Sequence, residues 1–278
     1  MERCGPDLTS HRQIRGDRII TSEQKAHFET FGFLVLRQLF TPEEAMIMKR
    51  ESDEIFEEVR GGGHYTGETW EAVQPFFERK PFLSGLPDDD RIYDLAVSLV
   101  GPNPILEVTE GNLHTGNTDW HGSKLPGKTM AHAKIAFYLE PLTKETGCLR
   151  VIPGSHTAGP TDPFAPLRDR NLDPDFKPFG LPPTEVPSYA IECQPGDVVV
   201  FVEETLHAAF GGKAGRQQHA INVVADPKTE EHEAFIKAMY QGTKFCYRPS
   251  ESYINSDHPR LRRMVSRLVE WGFETSKV

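Results

Sequence analysis

Hydrophobic and polar positions follow two different rhythms along this chain, and the change falls near residue 103. Before it, apolar residues recur at three- and four-residue intervals, the spacing of one helix face. Ser22-Glu23-Gln24-Lys25 predicts a helix start with Ser22 as the capping residue, followed by His27, Phe28 and Phe31. Gly32 should end that helix, and Phe33-Leu34-Val35-Leu36 then reads as a strand. Thr41-Pro42-Glu43-Glu44 combines a capping hydroxyl, proline at the first helical position and early carboxylates at the positive helix end. The helix it opens is expected to reach about Val59 and to break at Gly61-Gly62-Gly63. A further helix is expected from Asp88 to Val100, closed by Gly101-Pro102.

Beyond residue 103 the pattern is one of short strands with turn residues between them. The better candidates are Ile105 to Thr109, Lys134 to Leu139, Leu149 to Ile152, Tyr189 to Cys193, Val198 to Val202 and His219 to Val224. Pro195-Gly196-Asp197 reads as a tight turn into Val198. Helical spacing returns over Glu230 to Tyr240 and Pro259 to Trp271. Residues 157–187 hold 8 of the 22 prolines. That density excludes helix and central strand, so an ordered loop or a lid is expected there, with Gly61-Gly62-Gly63-His64-Tyr65 as a second lid candidate.

The expected fold class is α+β, a β-barrel or sandwich over 103–225 with helices at its end. The expected division within a single domain of 278 residues is a loose stretch 1–20, a helix-and-strand part 21–102, the barrel, and C-terminal helices 226–278.

The net charge of −10 disfavours nucleic acid and anionic membrane surfaces as partners. No apolar run approaches the roughly 18 residues that span a bilayer. Met1-Glu2-Arg3-Cys4-Gly5-Pro6 lacks the apolar region of a signal peptide. The four cysteines, Cys4, Cys148, Cys193 and Cys246, form no CxxC pair, as in a reduced, cytoplasmic protein with free thiols. A small-molecule substrate is the expected partner, and oligomeric state is not legible.

Two histidines stand out by their setting. His121 lies in Thr118-Asp119-Trp120-His121-Gly122-Ser123, where Gly122 permits close approach. His207 lies 86 residues later, after the buried run Val198 to Val202, and Arg216 follows it by 9. Two imidazoles at a barrel mouth with a cation one strand on suit Fe(II) and a dicarboxylate, the guanidinium pairing with the far carboxylate.

The segment Lys134-Ile135-Ala136-Phe137-Tyr138-Leu139-Glu140-Pro141-Leu142, followed by Thr146-Gly147-Cys148-Leu149-Arg150-Val151-Ile152-Pro153-Gly154-Ser155-His156, resembles the phytanoyl-CoA dioxygenase family. Gly196-Asp197-Val198-Val199 through His207 to Arg216 resembles it too, and the resemblance spans about Phe28 to Val224. It implies a double-stranded β-helix, a jelly-roll barrel with flanking helices, and an Fe(II)- and 2-oxoglutarate-dependent oxygenase. Such an enzyme uses O2 to oxidise an unactivated C–H and releases succinate and CO2. Carried over by position, His121 and His207 correspond to iron ligands, Arg216 to the 2-oxoglutarate partner, and Lys134 to a further co-substrate candidate. Strand alternation places Lys134, Ala136 and Tyr138 on one face and Ile135, Phe137 and Leu139 on the other. Pro153-Gly154-Ser155-His156 is expected to be a structural turn, and Trp120, Arg150 and Phe210 are candidates for the cavity wall.

The family pattern is His-x-Asp, and this chain has His121-Gly122-Ser123. Ser123 is neutral and a poor ligand for Fe(II), which leaves three readings open. One is an oxygenase that manages with water or a nearby carboxylate, Asp119, Glu203 or Glu204. Another is a halogenase, with chloride in the place of the carboxylate. The third is a binding module, sensor or isomerase-type protein on the same fold.

Overall fold

The computed structural model describes residues 19–122, 130–157, 161–168, 175–241 and 248–278. Helix α1 (Ser22–Phe31) begins at the residue expected to cap it: Thr21, not Ser22, accepts from Gln24 N–H, and the Gln24 side chain accepts from the Thr21 backbone N–H. Gly32 ends it at φ 79°, in the left-handed region that glycine enters without steric cost. Strand β1 (Phe33–Leu36) follows, then α2 (Pro42–Val59), opened by a reciprocal Thr41–Glu44 capping box. Strand β2 (Glu71–Val73), the single-turn helix α3 (Pro81–Gly85) and α4 (Asp90–Val100) complete the N-terminal part. In α4 the cap is Asp89, which accepts from Arg91 N–H.

The sheet region comprises β3 (Ile105–Thr115), β4 (Thr118–His121), β5 (His132–Phe137), β6 (Leu149–Val151), the short helix α5 (Ala165–Arg168), β7 (Tyr189–Ile191), β8 (Val198–Phe201), β9 (His207–Ala209) and β10 (Ala214–Val224). Three helices close the chain: α6 (Glu230–Gln241), α7 (Glu251–Ile254) and α8 (Pro259–Glu270). Among the described residues the strands form two antiparallel sheets, ordered β1-β8-β5-β10-β3-β2 and β4-β9-β6-β7. This is a double-stranded β-helix of α+β class, with the helices packed outside the larger sheet. No described helix is long and apolar enough to cross a membrane.

Alternation along the strands sorts the side chains into three packed layers. Ile135, Phe137, Val198, Val200, Ile221 and Val223 point out of the larger sheet to meet Met48, Ile55, Leu95 and Val265 of the helices. Ala136, Tyr138, Val199 and Phe201 point inward to meet Leu149, Val151 and Ile191 of the smaller sheet. Tyr138 therefore lies on the face that alternation assigned to it. A third cluster, Trp120, Ile152, Leu206, Ala208 and Phe210 with Leu167 and Val186, covers the outside of the smaller sheet.

That third layer corrects two expectations. The described part of the proline-rich segment does not roof the barrel mouth: Leu167 and Val186 pack on the outer face of the smaller sheet, and Pro183 O accepts from the Trp120 indole. Trp120, Arg150 and Phe210 likewise face this cover rather than the interior, with the Arg150 guanidinium 5.6 Å from the Phe210 ring centroid. Odd and even positions of a three-residue strand swap faces with a one-residue change of register, and the sequence alone did not fix that register. The glycine loop also differs from a lid. Its Tyr65 hydroxyl donates to Thr69 O and His114 O, which ties the loop to the end of β3.

The Gly196-Asp197 turn shows how the larger sheet is pinned. Gly196 sits at φ 95°, and a Cβ there would lie 2.4 Å from the Phe40 carbonyl oxygen. Asp197 is buried and accepts from the backbone N–H groups of Gln38 and Gln194, at 2.9 and 3.0 Å, while Arg37 pairs with it at 2.7 Å. Asp197→Ala leaves those backbone donors unpaired, while the half-exposed Arg37 keeps water and the Glu192 carbonyl, so a loss of about 2 kcal/mol is expected. A urea midpoint equal to that of the parent protein would contradict this account of the turn.

Candidate functional site

Strands β4 and β9 are short, three or four residues each, and they bring the two histidines face to face. His121 is the cross-strand partner of His207, with ring centroids 4.1 Å apart and planes inclined at 53°. Their side chains are held the same way. His121 Nδ1–H donates to the Asp119 carbonyl and His207 Nδ1–H to the Thr205 carbonyl, each at 2.8 Å. A carbonyl only accepts, so these bonds place a hydrogen on Nδ1 in both residues and leave Nε2 as the nitrogen that a metal would take. Two imidazoles oriented alike through Nδ1 are, in their neutral form, a donor set that could hold a divalent metal through Nε2.

The backbone beneath His207 is anchored by residues that the sequence reading left as a turn. Ser155 Oγ accepts from Leu206 N–H at 2.8 Å and donates to Ile152 O at 2.7 Å. Arg168 was missed altogether. Its guanidinium donates to the Glu204 and Ser155 carbonyls, Asp162 holds it at 2.6 Å, and its own carbonyl accepts from Gly122 N–H at 3.4 Å. Arg168 thus links the segment after His121 to the turn before His207. It lies within the proline-rich segment, where no local motif marks it.

Arg216 lies within the barrel at the start of β10. The pairing of β10 with β3 slips between Ala214 and Arg216, and the extra residue is Gly215 at φ 82°. Past this bulge Arg216 shares the inward parity of Gln218, Ala220 and Asn222, opposite His114, Asn112, Glu110 and Val108 on β3. Arg216 is 2% exposed, its Nε has no hydrogen-bond partner among the described residues, and its Nη2 approaches Gly116 O at 3.5 Å. Burial pushes its pKa down, opposed by Tyr138 and Glu140. Among the described residues no carboxylate is in ion-pair range of it, and Glu140 is engaged by Lys213 at 3.1 Å. A guanidinium desolvated to this degree without an anion is costly by itself. Two glycines make its niche: a Cβ on Gly212 would lie 2.7 Å from Arg216 Nε, and one on Gly147 2.9 Å from it. Only glycine at these two positions leaves room for the guanidinium itself.

Lys134 shares the face of Ala136 and Tyr138, as alternation predicts, and that face is the inner one, but Lys134 lies away from Arg216. It ion-pairs with Glu110 and, at 3.6 Å, with Glu203, and it sits four positions along the chain from Tyr138, the neighbour of Arg216. At the rise of an extended chain that separation is roughly 13 Å. Glu204 lies 2.8 Å from His132. Among the described residues no cluster of three or more His, Cys, Asp or Glu forms a metal-ligand group. Glu203 and Glu204, the candidates for a substitute carboxylate, are thus engaged with Lys134 and His132. Asp119 contributes its carbonyl to His121. Ser123 lies outside the described residues.

The inward polar residues Glu110, Asn112, Gln218 and Asn222 also escaped the sequence reading. The signal was present as period-two alternation along β3 and β10, masked because the expected strands stopped at Thr109 and started at His219.

Comparison with known proteins agrees with this architecture. A profile of the phytanoyl-CoA dioxygenase (PhyH) family matches residues 28–219, more than two thirds of the chain. A phytanoyl-CoA dioxygenase domain-containing protein 1 homolog from Dictyostelium discoideum is 24% identical over 254 residues, covering 72% of this chain and 89% of that protein. Among solved structures, the non-heme alpha ketoglutarate dependent carbocyclase SnoK from nogalamycin biosynthesis superposes with a TM-score of 0.56 at 20% identity, covering 77% of this chain and 90% of SnoK. HygX from Streptomyces hygroscopicus with iron bound gives 0.56 at 20% identity, covering 76% and 89%. EctD from S. alaskensis with 2-oxoglutarate and 5-hydroxyectoine gives 0.55 at 20% identity, covering 77% and 78%. At these identities the likeness to solved structures bears on the fold.

Proposed function

Because the chain belongs to the phytanoyl-CoA dioxygenase (PhyH) family of Fe(II)- and 2-oxoglutarate-dependent oxygenases, we propose that His121 and His207 hold the iron, that Arg216 anchors 2-oxoglutarate, and that the protein hydroxylates an unactivated C–H of a small molecule. The observation that carries this is Arg216: a buried guanidinium with an unsatisfied Nε, packed against two glycines, inside the barrel that also holds the paired His121 and His207 with their Nδ1 atoms on backbone carbonyls. A dicarboxylate supplies the missing counter-charge at one end and reaches toward the histidines with the other.

When bound, iron and 2-oxoglutarate supply the oxidising chemistry, with O2 as oxidant and succinate and CO2 as co-products. The chain's own part is positioning and exclusion of water. The carbonyls of Asp119 and Thr205 keep both imidazoles in the ligating tautomer. Arg216 forms charge-assisted bonds to the distal carboxylate, strengthened by burial. Phe33, Val199 and Phe201 give the interior an apolar wall, with the Phe201 ring 5.0 Å from that of His207.

Ser123 decides the outcome at the metal. With serine at the His-x-Asp position, one anionic oxygen is absent from the family's ligand pattern, and water or chloride would have to take its place. We take hydroxylation as the main activity and chlorination as the alternative outcome of the same test. Purified protein with Fe(II), 2-oxoglutarate and O2 should form succinate without halide, and Ser123→Asp should tighten iron binding roughly tenfold or more by restoring a charged ligand. Succinate formation that requires chloride in the parent protein, and is lost in Ser123→Asp, would replace hydroxylation by halogenation.

A further inference from the structure

Strand pairing by itself fixes the spacing of His121 and His207 only loosely. Strand β4 holds four residues at the edge of the smaller sheet, and β9, its neighbour among the described residues, holds three. Their register is irregular: Thr118 pairs with Ala209 and His121 with His207, so three steps along β4 match two along β9. A bulged edge pair this short slips or splays unless other contacts pin it. The cover on the outer face supplies such contacts. Leu167 and Val186 pack with Trp120, Leu206 and Ala208, the chain neighbours of the two histidines, and Pro183 O accepts from the Trp120 indole at 2.8 Å.

Arg168, at the end of α5, is where that cover meets both histidine segments. Its side chain is buried, and each arm of the guanidinium is engaged. Nη1 donates to Glu204 O and Nη2 to Ser155 O, each at 2.5 Å, and Nε donates to Asp162 at 2.6 Å. The other Asp162 oxygen accepts from Phe164 N–H at 2.9 Å, which steadies the carboxylate behind the fork. On the His207 side the path is short. Glu204 O lies three residues upstream, Thr205 O fixes the His207 ring, and Ser155 Oγ accepts from Leu206 N–H. On the His121 side it is shorter still. Gly122 N–H donates to Arg168 O at 3.4 Å, and a Cβ on Gly122 would lie 3.1 Å from Glu204 O and 3.2 Å from Arg168 Nη1. The residue after His121 therefore rests on the turn before His207, with the guanidinium against both.

We propose that Arg168 is a positioning residue of the iron site: it holds His121 in register with His207, and the proline-rich cover acts as a clamp on the outside of the sheet. This rests on the reading of His121 and His207 as iron ligands and deepens it. Groups that orient metal ligands from behind typically cost 10- to 100-fold in metal affinity when they are removed. The planar fork suits the task, since it reaches a carboxylate and two carbonyls at once, which an ammonium on a flexible stem does not.

The test is an anaerobic calorimetric titration of the purified protein with Fe(II) alone, at a temperature where circular dichroism shows each variant folded. Arg168→Met keeps the apolar stem and removes the donors, and it should weaken iron binding at least about tenfold. Arg168→Lys should recover only part of that loss. Gly122→Ala removes no donor and only pushes Glu204 O and Arg168 away, yet it should weaken iron binding too. Asp197→Ala loosens the turn at the other end of β8 and should bind iron as the parent does, which separates affinity from stability. Parental affinity in Arg168→Met or in Gly122→Ala, or an equal loss in Asp197→Ala, would overturn the assignment. Where Arg168→Met does not fold, Gly122→Ala decides alone. No iron binding by the folded parent protein counts against the metal site itself, and binding that survives the substitutions counts against the clamp.

Discussion

Arg216→Leu is expected to lose 2-oxoglutarate turnover while leaving the metal-free protein as stable as its parent or more so. The two halves follow from one fact. The guanidinium is buried at 2% exposure and has no carboxylate among the described residues, so without ligand it carries a desolvation cost that nothing repays. Replacing such a charge by an apolar side chain is often neutral or stabilising by about 1 kcal/mol or more. With 2-oxoglutarate present the charge is paired, and truncating one member of a buried charge pair costs about 2–5 kcal/mol. That is a drop on the order of 10²–10³ in kcat/KM for the co-substrate. Arg216→Lys should recover only part of it, since an ammonium cannot match a carboxylate bidentately. A purely structural role for Arg216 predicts the reverse: a destabilised protein, with residual activity in proportion to the folded fraction. Thermal unfolding and single-substrate kinetics on the same preparations separate the two.

The second large effect is expected from the histidines. His207→Ala should lower Fe(II) affinity by roughly 100-fold or more, since loss of even an indirect partner of a metal ligand costs 10- to 100-fold. His121→Ala should do the same, and the double variant should show little further loss, because one imidazole alone holds Fe(II) poorly. Neither substitution should unfold the protein, since both side chains are only partly buried. An equilibrium iron titration measures this directly. The contrary result, affinity unchanged in either single variant, would remove that histidine from the metal site. Ser123 heightens the effect, since with no aspartate at that position the two imidazoles carry more of the protein's share of the binding.

Much of the fold was legible in the sequence because its signals are local. Thr41, Pro42 and Glu44 specify the start of α2 within four residues, and the structure ends that helix at Val59 as the glycine run implies. Alternation in β5 separated Ala136 and Tyr138 from Ile135 and Phe137, and the structure turns the first pair to the interior and the second to the helices. The short strands β4 and β9 left no periodic signal, since three or four residues hold at most two alternations. His121 and His207 were found through their flanking residues instead. What stayed illegible depends on pairings remote in sequence. Lys134 meets Glu110 and Glu203 only because β5 lies near β3 and the β8–β9 turn. Arg168 reaches the histidine segments only through the folded proline-rich cover. The same remoteness hid the side of the smaller sheet on which Trp120 and Phe210 lie.

The central claim is that His121, His207 and Arg216 form one iron and 2-oxoglutarate site. Its most direct test is anaerobic addition of Fe(II) and 2-oxoglutarate to the purified protein, observed in the visible range, beside Arg216→Leu and His207→Ala. The account predicts a metal-to-ligand charge-transfer band in the parent protein. That band should require far more 2-oxoglutarate in Arg216→Leu and far more iron in His207→Ala. No band in the folded parent protein, or a band titrating identically in all three proteins, would contradict it.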